Sequence, residues 1–156
     1  MRRARFVTSL AVLSCVVALL ATSGATGLQI DLHAQAPRQA VVETALGTFI
    51  LDLLPEAAPN TVALFIKTAQ SGGYDNTAFH RAVRNGMVQG GDPLSRDPAK
   101  KAQYGQGGLN QIKAEPRAAK MLSGSVASVL VPGRPDSAGT QFFIVLADQP
   151  TLDNQY

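Results

Sequence analysis

The sequence predicts a mainly β domain with one helix, its strands arranged as a barrel. Three observations predict it. Short runs rich in Val, Ile, Leu and Phe are separated by turn residues, one stretch alone has helical periodicity, and 46% of the 156 residues are hydrophobic, which suits a single core. No internal repeat or low-complexity tract suggests a second domain.

The segment VVETALGTFILDLL reads as two short strands around a Leu46-Gly47 turn, a hairpin that opens the domain. In PEAAPNTVALFIKTAQSGGYD, Val62, Phe65, Ile66 and Ala69 recur at helical spacing, with a proline and an asparagine near the start and Gly72-Gly73 at the end. An amphipathic helix is predicted over 60–71. Thr77 to Val83 and Met87 to Gln89 read as strands joined at Arg84-Asn85-Gly86, because Asn-Gly favours a tight turn. Residues 92–124 are loop-dominated, through DPLSRDPAKK, YGQGGLN and Glu115-Pro116. Two further β-rich runs, Ser125 to Val131 and Gln141 to Leu146, flank the turn-forming PGRPDSAG, giving five or six strands in all.

The first residues follow another pattern. MRRAR supplies three arginines, FVTSLAVLSCVVALLA carries no charge, and the small-residue segment TSGATG follows, as in a secretory leader. Ser23 and Ala25 fit a cut after Ala25, so the expected organisation is a signal peptide at 1–25, a connector at 26–40 and a domain at 41–156. The apolar run is short and contains Thr8, Ser9 and Ser14, which favours a cleaved leader over a membrane anchor. VLSC matches a lipoprotein box poorly because the apolar run continues past Cys15. Cys15 is the only cysteine, so the domain forms no disulfide and depends on its core.

The formal charge of +3 belongs mostly to the leader. Setting aside Arg2, Arg3, Arg5 and Asp31 leaves eleven basic against ten acidic side chains. With no basic cluster beyond RDPAKK, the domain is not expected to bind nucleic acid. Two histidines and one leader cysteine cannot assemble a metal site. No Gly-x-Ser-x-Gly elbow exists for a serine hydrolase, and YGQGGLN lacks the Lys-Ser/Thr of a phosphate loop. His80 alone reads as a hydrogen-bonded core histidine. What remains is a strand arginine with a methionine and a glutamine nearby, and the apolar cluster in GTQFFIV, a combination able to bind and polarise an amide.

FHRAVRNGMVQGGD and SAGTQFFIVLADQPTLDNQY resemble the cyclophilin family of peptidyl-prolyl isomerases, and ETALGTFILDLLPEAAPNTVALFI resembles that family's opening hairpin and first helix. The resemblance covers about 41–156 and implies a cyclophilin-like closed β-barrel that catalyses rotation about X-Pro bonds without a cofactor. It implies that Arg81 and Gln89 are catalytic, and that His80, Met87, Ser128, Val129, Gln141, Phe143 and Leu152 bind substrate. Met87, Phe143 and Leu152 would receive the proline ring, Gln141 would support the groove, and backbone near Ser128 and Val129 would hold the peptide. Taken singly, Met87 and Phe143 are as readily explained by core packing. The expected partners are proline-containing polypeptides outside the cytoplasm, whose folding the enzyme would assist. A monomer is expected, without lasting membrane association once the leader is removed.

Three departures qualify these expectations. Gly86 stands where the family carries a phenylalanine, so one wall of the proline pocket should lose its ring. Thr151 stands where many members have a tryptophan. Both predict weak binding of cyclosporin-like inhibitors and leave a non-catalytic proline-binding or chaperone-like module as the alternative. Family members also continue past the LDNQY region into strands and a helix that close the barrel, so here the barrel is expected to be incomplete at its C-terminus.

Overall fold

The computed structural model describes residues 5–7, 39–116 and 120–156. The leader and connector expected over 1–40 lie outside the described residues, apart from Arg5–Val7 and Gln39-Ala40.

Two antiparallel sheets carry the fold. The first joins β1 (Arg5–Val7), β2 (Gln39–Thr44) and β3 (Gly47–Asp52) in that order. Thr44 pairs with Gly47, so the β2–β3 turn falls on Ala45 and Leu46, one residue earlier than the sequence suggests. The second contains β4 (Arg81–Val83), β5 (Met87–Gly90), β6 (Val126–Ser128) and β7 (Phe142–Val145), in the order β4-β5-β7-β6. Among the described residues no strand pairing links the two sheets, so the closed ring expected from the sequence is not observed. Side chains connect them instead. Phe65 from the helix and Ile144 from β7 pack both on the Ala40, Val42 and Leu51 cluster of the first sheet and on the Ala69, Tyr74 and Phe142 cluster.

The helix α1 (Pro59–Gln70) lies one residue before its predicted span. Proline is tolerated in its first turn, where the missing N–H has no helical partner to lose. Val62 and Ala69 are buried, and Phe65 and Ile66 half-buried, as their spacing requires. At the other end Gly72 adopts φ 70°, which lets the Gly73 N–H reach back to the Thr68 carbonyl at 2.6 Å and the Gly72 N–H to Ala69 at 3.0 Å.

Arg84 to Gly86 form the predicted turn, with Asn85 at φ 55° and the Gly86 N–H bonded to the Val83 carbonyl at 3.0 Å. The preceding strand is shorter than expected. Thr77 to His80 are not strand, and the Thr77 and Ala78 groups are held by local and side-chain bonds to Tyr74 and Ser95. The segment 92–124 contains two 3₁₀ turns, Pro93–Arg96 and Pro98–Gln103, each started by an aspartate, Asp92 and Asp97, whose side chain accepts a backbone N–H. A last 3₁₀ turn spans Pro150–Leu152.

Candidate functional site

Strand β7 divides the core from the site. Successive side chains of a strand point to opposite faces. Phe142 and Ile144 therefore pack inward against α1 and the first sheet, while Phe143 and Val145 pack on the other side with Met121. Met87, Ala127, Val129, Leu152 and Tyr156 surround that second cluster.

Pairing carries the arrangement across the sheet. Arg81 stands opposite Gln89, Gln89 opposite Phe143, and Phe143 opposite Ala127; one step along the same face, Val83 is opposite Met87 and Met87 opposite Val145. Directly opposed side chains lie within reach of one another. Arg81 is exposed, and its Nη1 donates to Gln89 Oε1 at 3.2 Å and points to the Met87 sulfur at 3.6 Å. Gln89 Nε2 in turn donates to Gln141 Oε1 at 3.0 Å, and both glutamines are buried. A cation with one nitrogen held in place thus borders an apolar cluster formed by Met87, Phe143, Leu152 and Tyr156.

The edge of the sheet completes the face. Val129 N–H donates to the Gln141 carbonyl at 3.0 Å and Val145 N–H to the Ser125 carbonyl at 2.9 Å. In an antiparallel ladder alternate residues bond to the same neighbour. Residues 125, 127 and 129 thus face β7, and Ser128 directs its backbone N–H and carbonyl to the open edge of β6. Of the two backbone positions named from the sequence, Ser128 offers its pair outward, while the Val129 N–H is engaged within the sheet.

His80 is placed differently from its neighbours. Its backbone N–H bonds to the Gln89 carbonyl at 3.0 Å, but its ring lies edge-on to Tyr104, with centroids 6.3 Å apart. Both ring nitrogens are shielded from solvent and neither makes a hydrogen bond, so the hydrogen-bonded core histidine expected from the sequence is not what is found. Burial pushes its pKa below the ordinary value, against the opposing charge of Asp92 and the nearby Ala78 backbone.

Gly86 carries no ring, as the sequence states, and it lies close to Val83 within the hairpin turn. A Cβ at Gly86 would come within 3.0 Å of Val83 Cγ1, so Val83 occupies the adjoining space. Thr151 is exposed beside the half-buried Leu152. Sequence reasoning missed Tyr156, whose ring meets Phe143 edge-on at 5.0 Å, and also Met121. An aromatic four residues after Leu152 was the available signal for Tyr156; Met121 sits in a loop without periodicity and gave none. Among the described residues, no group of three His, Cys, Asp or Glu side chains could hold a metal ion.

The family model for cyclophilin type peptidyl-prolyl cis-trans isomerases matches residues 40–156. Peptidyl-prolyl cis-trans isomerase CYP18-2 of Arabidopsis thaliana is 34% identical over 121 residues, which are 78% of this chain and 71% of that protein. Peptidyl-prolyl cis-trans isomerase-like 1 of Neurospora crassa is 38% identical over 115 residues, 74% of this chain and 68% of that protein. Among solved structures, a cyclophilin type peptidyl-prolyl cis-trans isomerase of Cryptosporidium parvum, determined in the presence of the dipeptide Ala-Pro, superposes with a TM-score of 0.62 at 26% identity, over 70% of this chain and 68% of that one. By sequence and by fold, the chain belongs to the cyclophilin-type peptidyl-prolyl cis-trans isomerase family.

Proposed function

We propose that this face catalyses rotation about X-Pro bonds with Arg81 as the electrophile and the Met87, Phe143, Leu152 and Tyr156 cluster as the seat of the proline ring. The observation that carries the reading is the Arg81 to Gln89 hydrogen bond at the border of that cluster. An X-Pro amide resists rotation because of its partial double bond, a barrier of about 20 kcal/mol. At the twisted midpoint that resonance is lost and the proline nitrogen gains a lone pair. No covalent chemistry is needed, only preferential binding of the twisted amide.

Each group has a part in that task. The Ser128 backbone pair receives the extended peptide as an added strand, which fixes one side of the bond. The apolar cluster holds the ring on the other side. Arg81, with Nη1 fixed by Gln89, directs its remaining donors at the proline nitrogen or the neighbouring carbonyl, where charge-assisted bonds strengthen as the amide twists.

The test is NMR exchange on a short Ala-Pro peptide. Arg81→Ala is expected to slow catalysed exchange about a hundredfold, near 2.7 kcal/mol of transition-state stabilisation, with the spectrum still dispersed. Equal exchange in the variant would remove Arg81 from the mechanism. Peptide binding without exchange in the unaltered protein would make this a proline-binding module.

The site of action we propose is outside the cytoplasm, where the enzyme would assist folding of exported chains. The arginine-flanked apolar leader and its small-residue segment support this reading. Protein recovered from the exported fraction should begin near Thr26, without Arg5–Val7 and so with β2 as an edge of the first sheet. A cytoplasmic protein that retains Met1 would refute it.

A further inference from the structure

Asp92 is fully buried, and its two carboxylate oxygens both hold backbone: Oδ1 accepts from the Leu94 N–H at 2.8 Å, and Oδ2 from the Gly105 N–H at 2.5 Å. The second bond fastens a glycine-rich loop, 105–108, to the end of β5. Gly107 packs so closely there that a Cβ would collide with Asp92 Oδ1 and crowd Leu94. The Gly107 carbonyl then accepts from Gln141 Nε2 at 2.6 Å.

That carbonyl fixes a direction. A carbonyl only accepts, so Gln141 must turn its amide nitrogen to Gly107 and its oxygen to Gln89. Gln89 must then offer its nitrogen to Gln141, which leaves its oxygen for Arg81, as observed at 3.0 and 3.2 Å. With the loop displaced, either glutamine could reverse, and a reversed Gln89 would present donors to a guanidinium that itself only donates.

We propose that Asp92 is a positioning residue for the isomerase: by pinning the 105–108 loop it places the Gly107 carbonyl, which sets the polarity of the Gln141 and Gln89 amides and so holds the Arg81 guanidinium. This rests on the role given to Arg81 above. Asp92 touches no substrate and acts through four hydrogen bonds.

Asp92→Asn keeps the volume but replaces one acceptor by a donor, which releases one of the two anchored N–H groups. The expected result on the Ala-Pro peptide is about a tenfold loss of exchange rate at saturation, with peptide affinity within about twofold of the unaltered protein. In a Gln141→Ala background the same substitution should have no further effect, because the route to Arg81 is already cut. Unchanged exchange, or losses that simply add, would overturn the relay, since a merely structural role predicts addition.

Gly107→Ala displaces the loop while leaving Asp92 intact and should give the same loss of rate without loss of affinity. If neither variant folds, the unaltered protein decides: the Gln141 side-chain amide and the Gly105 N–H should both exchange slowly with solvent, and fast exchange of either overturns the proposal. If the unaltered protein catalyses no exchange, the reading of Arg81 fails separately. The relay is then read from the Arg81 side-chain NMR signals, which must move in Asp92→Asn if the coupling exists.

Discussion

At the residue scale, His80, next to Arg81 in the chain, is the group beside the site whose protonation its surroundings shift. Its ring sits between Tyr104 and the loop that carries Gly105, without a hydrogen bond at either nitrogen. Burial is the main influence on it and disfavours the imidazolium, while Asp92 and the Ala78 backbone act the other way and Arg81 reinforces burial. The folded pKa therefore lies below the unfolded value, near 6.5. As pH falls below that point the unfolded chain takes up the proton first, so stability declines from about pH 6.5 down through the folded value. Thermal melts from pH 8 to 5 should show this decline, and His80→Gln should flatten it. Parallel pH profiles for the two proteins would mean that His80 does not carry the effect.

At the scale of elements, legibility followed the range of the interactions. The helix and both hairpins were readable because their signals are local: apolar spacing at Val62, Phe65, Ile66 and Ala69, Gly72-Gly73 at the helix end, and Asn85-Gly86 at the turn. What starts the helix was not readable. Ala58 supplies no side-chain cap, and the first turn has no acidic residue. The acceptor is Glu115, more than fifty residues away: Oε1 takes the Asn60 N–H at 3.1 Å and the Asn60 side-chain amide at 2.8 Å, and Oε2 takes the Thr61 N–H at 2.8 Å. Burial alone would raise the Glu115 pKa, but these bonds outweigh it and hold it below the ordinary carboxylate value. A cap of this kind contributes about 1 kcal/mol. In the sequence Glu115-Pro116 signals only a loop. The strand expected from Thr77 failed for a related reason, since the Ser95 hydroxyl, from the first 3₁₀ turn, captures the Ala78 N–H.

At the scale of the whole molecule, the candidate site was legible as a set of residue types and illegible as a network. Arg81, Met87, Gln89 and Phe143 were accessible through the resemblance of their two motifs, which register then places on one face, and Tyr156 and the Asp92 to Gly105 bond were not because they join loops through space. The same register divides β7 into two functions that a pair of substitutions can separate. Phe142 is 5% exposed and meets Phe65, Tyr74 and Phe79 edge-on at 5.9 to 6.1 Å, so it serves the packing between helix and sheet. Phe143 is 3% exposed but packs against Met87, Leu152 and Tyr156 on the face where the proline ring is proposed to sit. Phe142→Leu should lower unfolding free energy by about 1 to 2 kcal/mol, as ring contacts are lost in a filled core, with peptide affinity per folded molecule unchanged. Phe143→Leu alters the proposed pocket and should weaken the Ala-Pro peptide several-fold for a similar or smaller loss of stability. Chemical denaturation and peptide titration on the same samples distinguish the two. If affinity falls equally in both variants, β7 does not partition core from site, and the alternation of its side chains is not what positions the proline pocket.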